Sequence, residues 1–233
     1  MVETEYEKTY IPLIGEDAPS FEAVTTQGPI NFPEDYKGKW VILFSHPADF
    51  TPVCTTEFIA FASMQEEFKE MNTELIGVSI DSIFSHIAWL KRIEEKIEYK
   101  GMKNVKIGFP VIADLEMDVV KKYGMVRLKG SRIQPARATF VIDPESKIRA
   151  IVYYPVHNGR NIQEFKRLIS AMQKNYAEDV STPANWQPGD DVIIRTPRSM
   201  NEVEERLEKV QDEVYCLDWF ICLKKDSKKI LSD

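Results

Sequence analysis

Five consecutive apolar residues, Trp40-Val41-Ile42-Leu43-Phe44, follow the turn-forming stretch Tyr36-Lys37-Gly38-Lys39. A strand with one wet face alternates apolar and polar side chains, whereas a run without alternation has to be covered on both faces. A chain holding such a strand therefore needs a sheet with helices packed above and below it. The residues that follow fit this. Pro47 and Pro52 break the chain, and a helix is expected from about Thr55 to Met71, with Phe58, Phe61, Ala62, Phe68 and Met71 on one side. A second apolar run, Leu75 to Ile80, leads into a helix marked by Ile83, Ile87, Leu90 and Ile97. A third, Pro110 to Asp114, precedes a short helix over Met117–Tyr123.

Ala138–Asp143 and Ile148–Tyr154 flank Pro144-Glu145-Ser146-Lys147 and read as a hairpin with a proline-started turn. A last core helix is expected from Asn161, with Ile162, Phe165, Ile169 and Met172 at helical spacing. Alternating strands and helices followed by a hairpin and a helix define an α/β class with a mixed central sheet flanked by helices, and the order resembles a thioredoxin-like fold. Ser181 to Asp190 is rich in proline, glycine and polar residues and reads as a linker. The expected organisation is a main domain over 1–178 and a C-terminal extension over 179–233, with a charged helix (Asn201–Gln211), a Tyr215–Cys222 segment and a lysine-rich tail. So short an extension is not expected to build its own core, and should lie on the main domain or on a partner subunit.

The 233 residues carry 37 acidic and 30 basic side chains, a net charge of −7. That argues against nucleic acid or an anionic membrane as a partner, since both need clustered Lys and Arg. The first residues lack the basic-then-apolar pattern of a signal peptide, and no apolar run approaches the about 18 residues that span a bilayer. A soluble, cytoplasmic protein is the expectation. Three cysteines, Cys54, Cys216 and Cys222, do not make a secreted disulfide framework.

Chemistry concentrates in Ser45-His46-Pro47-Ala48-Asp49-Phe50-Thr51-Pro52-Val53-Cys54-Thr55-Thr56-Glu57. Pro52 suits a position just before or within a first helical turn. Cys54 then lies where unpaired backbone N–H groups and the helix dipole favour an anion, hence the nucleophilic thiolate. Thr51, three residues back, is within reach to donate a hydrogen bond to the sulfur or to a bound oxygen. A lone cysteine beside aromatics is ordinarily a small buried hydrophobe; the Pro-x-x-x-Thr-x-x-Cys spacing is what argues for reactivity.

The same stretch resembles the active-site signature of the peroxiredoxins, thiol peroxidases on a thioredoxin-like fold, and in particular their one-Cys branch. The similarity runs from Ile14-Gly15-Glu16-Asp17-Ala18-Pro19 to the C-terminal module. It implies that Cys54 is the peroxidatic cysteine, attacking hydrogen peroxide or organic hydroperoxides, with Thr51 and Pro47 shaping the pocket. Arg137, heading the Arg137–Asp143 run, would steady the thiolate and the charge that develops on the leaving oxygen. A second family arginine matches Arg160 in Asn158-Gly159-Arg160-Asn161, where an ordinary surface arginine is the alternative. Arg137, Thr51, His46 and Arg160 are the candidates to hold the peroxide. The resemblance implies no metal and no cofactor, because sulfur carries the electrons. It implies a thiol reductant, thioredoxin-like or other, and a homodimer assembled into a ring such as a decamer. For His46 a cysteine–histidine pair competes with simple hydrogen bonding of the loop, and no Asn or Asp partner is identifiable. Glu57 is expected to steady the loop or neighbouring arginines; His86 and His157 carry no motif and read as structural. The lipase-type serine motif of the mammalian one-Cys relative has no counterpart, since Gln27 to Pro33 contains no serine.

Cys216 and Cys222, separated by Leu-Asp-Trp-Phe-Ile, match neither the C-x-x-C of a thioredoxin nor a zinc spacing. Two buried apolar thiols are one reading. The Cys-Leu-Asp-Trp-Phe-x-Cys pattern resembles archaeal members of the branch, in which a C-terminal thiol resolves the sulfenic acid; on that resemblance Cys222 is the expected resolver, from a partner subunit, with Cys216 as auxiliary. Two other functions stay open: a disulfide reductase, which the missing C-x-x-C disfavours, and a non-enzymatic holdase.

Overall fold

The computed structural model describes residues 11–126, 135–208 and 213–226. Residues 209–211 of the expected charged helix, and the lysine-rich tail beyond 226, lie outside the described residues. The chain divides into two compact units, Met1–Ile162 and Gln163–Asp233.

In the first unit the order is β1 (Phe21–Thr25), β2 (Gly28–Phe32), β3 (Trp40–Ser45), α1 (Pro52–Ser63), α2 (Gln65–Glu70), β4 (Thr73–Ser79), α3 (Ile83–Lys96), β5 (Val111–Ala113), α4 (Asp118–Lys122), β6 (Arg137–Ile142) and β7 (Ile148–Tyr154). The strands form one seven-stranded sheet in the order β2-β1-β5-β4-β3-β6-β7. β3, β4 and β5 are mutually parallel, whereas β6 runs antiparallel to β3 and β7 antiparallel to β6. β1 and β2, a hairpin that apolar runs alone do not announce, extend the sheet antiparallel to β5.

Every residue of β3 is buried, as its unbroken apolar run demands. Its alternation sorts the two faces. Val41 and Leu43 join a core with Ile76, Val78, Ile112, Tyr123 and Phe140. Phe44 instead stacks on Phe61 of α1 at 4.2 Å between ring centroids and meets Phe58 edge-on at 5.6 Å. The expected helix over Thr55–Met71 is two helices, α1 starting at Pro52 and breaking at Met64. The Met64 N–H bonds back to Phe61 and Ala62, while the apolar periodicity runs on into Phe68, so the pattern hides the break.

A missing side chain seats α1. A Cβ on Gly77 of β4 would lie 3.3 Å from Phe58 Cζ, 3.5 Å from Phe44 Cζ and 3.6 Å from Val111 Cγ1. The glycine leaves room for the two aromatic rings under the helix.

The second unit opens with α5 (Ile162–Ala177), whose first residue closes the first unit, followed by β8 (Val180–Ser181), β9 (Val192–Ile194), α6 (Met200–Glu208), β10 (Val214–Asp218) and β11 (Ile221–Lys224). Its strands pair antiparallel in the order β10-β11-β9-β8. The sequence suggests no core here and a boundary after 178; the compact unit instead takes in α5, because Ala171 packs with Trp186 and Val192, with Val180 against them. The Trp186 Nε1–H donates to the Asp190 carbonyl (3.0 Å), and Arg167 Nη1 donates to the Trp186 carbonyl (3.1 Å). No helix among the described residues is long and apolar enough to cross a membrane.

Replacing Gly77 with Val should lower the unfolding free energy by about 1–3 kcal/mol, through overpacking against Phe58 and Phe44. Urea denaturation checks this, and an unchanged midpoint would mean that the gap is not what seats α1.

Candidate active site

The loop after β3 turns through Phe50, a non-glycine residue at φ 54°, and delivers Thr51 in extended geometry as the residue preceding α1. Pro52 and Val53 open the helix and Cys54 is its third residue. The first intrahelical bond runs from the Thr55 N–H to the Thr51 carbonyl at 3.0 Å. No side chain caps this end, so the Val53 and Cys54 N–H groups are left for an incoming acceptor. The Thr51 hydroxyl does not donate to the sulfur. It donates to the Ala48 carbonyl (2.8 Å), which leaves its oxygen as an acceptor. Pro47 is buried in the same loop.

Cys54 is a free thiol with no exposed surface. Arg137, the first residue of β6, donates from Nη1 to the sulfur at 3.4 Å and to Glu57 Oε2 at 2.7 Å. Its Nε–H donates to the Val156 carbonyl (2.8 Å), which fixes the plane of the guanidinium. Ser45 sets the strand register that brings Arg137 here: its hydroxyl donates to the Ala136 carbonyl (2.6 Å) and accepts the Ala138 N–H (3.1 Å).

Arg160 is also buried, so the surface-arginine alternative does not apply. Its Nε and backbone N–H donate to Glu57 Oε1 (2.9 and 2.8 Å), and Nη2 donates to Oε2 (2.8 Å). Its guanidinium lies over the rings of Phe44 and Phe61, at 5.0 and 5.6 Å. Burial pushes the Glu57 carboxyl up, but the charge and hydrogen bonds of Arg160, with the charge of Arg137, outweigh it and hold the group below its ordinary value. Two guanidinium charges against one carboxylate leave one positive charge uncompensated beside the sulfur.

His46 acquires the acidic partner that the sequence does not reveal. His46 Nε2 lies 3.0 Å from Asp49 Oδ1, and His86 Nδ1 lies 2.8 Å from Asp49 Oδ2. His86 Nε2 donates to the Ile112 carbonyl (3.1 Å), and the Asp49 N–H donates to Asp81 Oδ2 (3.0 Å). Burial pushes the Asp49 carboxyl up, yet the two histidine hydrogen bonds outweigh it and lower it. Burial holds His46 below its ordinary value despite Asp49, and its Nδ1 is buried without a partner. These three side chains are the group among the described residues whose atoms gather closely enough to hold a metal ion. Hydrogen bonds already engage His46 Nε2, both His86 ring nitrogens and the Asp49 carboxylate, and they pin the loop to α3 and β5. His86, which carries no sequence motif, anchors the loop through Asp49.

Cys216 and Cys222 are register partners across the β10–β11 hairpin and form a disulfide.

Comparison with known proteins agrees with this geometry. The AhpC/TSA family model matches residues 14–151, and the model for the C-terminal domain of 1-Cys peroxiredoxin matches residues 171–209. A peroxiredoxin of Methanosarcina mazei is 73% identical over 219 residues, covering 94% of this chain and all of the relative. The chain belongs to the peroxiredoxin family. A peroxiredoxin of Aquifex aeolicus is 50% identical, covering 92% of this chain and 97% of its own. Among solved structures, the yeast mitochondrial 1-Cys peroxiredoxin superposes with a TM-score of 0.80 at 40% identity, covering 93% of this chain and 100% of that one. Peroxiredoxin 6 of Arenicola marina gives 0.80 at 30% identity, covering 93% and 99%. Membership makes the protein a thiol peroxidase, an oxidoreductase working on peroxides with a thiol reductant.

Exchanging Glu57 for Gln should cost about 3–5 kcal/mol, the usual consequence of leaving buried charges unpaired. The group sits below its ordinary value, so the stability that it contributes is complete above about pH 4.3 and is lost as the pH falls through the lower folded value. Unfolding measured across acid pH should therefore show a shallower slope for the variant; equal slopes would remove Glu57 from the acid transition.

Proposed function

We propose that the protein reduces hydrogen peroxide and small alkyl hydroperoxides at Cys54, passing the oxidation to its C-terminal cysteines, in antioxidant defence. The observation that carries the reading is the contact of Arg137 Nη1 with Cys54 Sγ, in a buried pocket holding one uncompensated positive charge. That charge lies against the sulfur that attacks. The thiolate attacks the terminal peroxide oxygen, an S–O bond forms as the O–O bond breaks, and the leaving alkoxide or hydroxide takes a proton to give alcohol or water. Arg137 and the free N–H groups at the start of α1 stabilise the charge as it moves onto the leaving oxygen. The Thr51 oxygen can accept the hydrogen bond of the peroxide O–H. Arg160 acts through Glu57, holding the carboxylate that holds Arg137, and is a positioning residue.

The product is a sulfenic acid on Cys54. Cys222 of a partner subunit condenses with it, forming a disulfide and releasing water. Cys216 then displaces Cys54, regenerating its thiolate and leaving the Cys216–Cys222 disulfide. The pairing of these two cysteines within one hairpin supports this order. An external thiol reductant closes the cycle.

A homodimer joined into a ring suits two surfaces. Beyond Ile148, which pairs with Gly15 and Glu16, β7 is an edge of the sheet among the described residues. Beside the Cys54 loop, Phe50 is exposed, and Phe84 and Ile87 share one face of α3, with Phe84 80% exposed.

Cys54→Ser should reduce peroxide consumption to the uncatalysed rate, and Arg137→Met should lower kcat/KM by about 10²–10³. After one equivalent of hydrogen peroxide and thiol blocking, peptide mass spectrometry should show Cys54 linked to Cys222 on the way to Cys216–Cys222. Cys54 recovered as an untouched thiol would sink the mechanism. Phe84→Glu should break the ring into dimers in sedimentation velocity, and a ring that persists would exclude this face from the assembly.

A further inference from the structure

The two sulfurs of the C-terminal disulfide are not equivalent. Cys222 has no exposed surface, whereas Cys216 is partly exposed between the exposed side chains of Tyr215 and Leu217. The Cys222 sulfur also lies under the hairpin turn, 3.6 Å from the Asp218 carbonyl oxygen and 4.0 Å from that of Trp219. An attacking thiolate is anionic and must approach the sulfur along the S–S axis. Two electron-rich carbonyl oxygens and a closed surface oppose it at Cys222, and solvent admits it at Cys216.

We infer that the external reductant attacks Cys216 alone, which makes Cys216 the electron-entry residue and Cys222 the leaving group. The inference rests on the redox cycle proposed above. The reductant is a dithiol of the thioredoxin class. Its thiolate bonds to Cys216 Sγ as the Cys216–Cys222 bond breaks, and the electron pair leaves on Cys222, which takes a proton from water. The second thiolate of the dithiol then attacks its own sulfur in the mixed disulfide. That releases the reductant as a disulfide and Cys216 as a thiolate, which takes a proton from water as Cys222 did. The two protons that the dithiol gave up on becoming thiolates balance these, so the hairpin gains two electrons and two protons in all. Cys222, the resolver, is thus freed in the first step, and it is never itself bonded to the reductant. One hairpin serves two exchanges in opposite senses: electrons leave it through Cys222 and enter through Cys216.

The test uses the full chain carrying Cys54→Ser, so that the pair is the sole thiol source, oxidised with diamide. Intact mass under non-reducing conditions first establishes whether the pair forms a disulfide. Glutathione is then added as a monothiol probe, the reaction is quenched early with N-ethylmaleimide, and the peptides are mapped. Glutathione on Cys216 with maleimide on Cys222, in at least about tenfold excess over the reverse pattern, is the expected result. Glutathione on Cys222, or equal labelling of both, overturns the inference and leaves the proposed cycle standing. Two free thiols after diamide treatment overturn both.

Discussion

The Glu57 carboxylate is the hinge of this structure's chemistry. It accepts from Arg160 three times and from Arg137 once, all in a space closed to water. Without it, two guanidinium groups would face each other in the core, a cost that no nearby apolar packing could offset. With it, both cations are affordable and one positive charge remains to meet the sulfur. The same carboxylate ties three chain segments together, because α1 supplies Glu57, β6 supplies Arg137 and the stretch before α5 supplies Arg160. The charge balance and the tertiary arrangement are thus one fact seen twice.

Local packing explains why the clamp holds its geometry. Phe44 and Phe61 lie beneath the Arg160 guanidinium, so the cation rests on aromatic faces. Those rings are seated by the gap at Gly77 and by the two-sided burial of β3. Ser45 adds the lateral constraint, bonding both neighbours of Arg137 from the end of β3. A polar residue at the end of an apolar strand therefore decides where a charge on the next strand will stand.

Much of this was legible in the residues. The unbroken run Trp40–Phe44 announced a doubly covered strand, and Pro52 before Cys54 announced a helix start. Other features depend on distance in space, which local patterns do not carry. Asp49 meets His86 across 37 positions, and it faces His46 because the chain turns between the two, with a bend at Pro47. The spacing His46-x-x-Asp49 was the available signal, but it says nothing without that turn. The residue pattern offers the Thr51 hydroxyl as a donor to the sulfur or to a bound oxygen; it donates instead to the carbonyl three residues back because the loop curls on itself. In the second unit, β8 and β9 have two and three residues, too short for any periodicity to register. Their core is completed by a helix whose apolar positions already had an explanation in the first domain.

The span of the C-terminal disulfide has a thermodynamic meaning. Its cysteines are six positions apart, so the loop that it closes in an unfolded chain is small. On the chain-entropy account such a loop is worth about 2 kcal/mol, less than half of the about 4.7 kcal/mol expected for a hundred-residue loop. Cutting this bond removes little of what keeps the chain folded, since Cys216 and Cys222 remain neighbours through the hairpin's backbone pairing. The fold therefore does not rely on this bond as a staple, which suits the redox role proposed for it above.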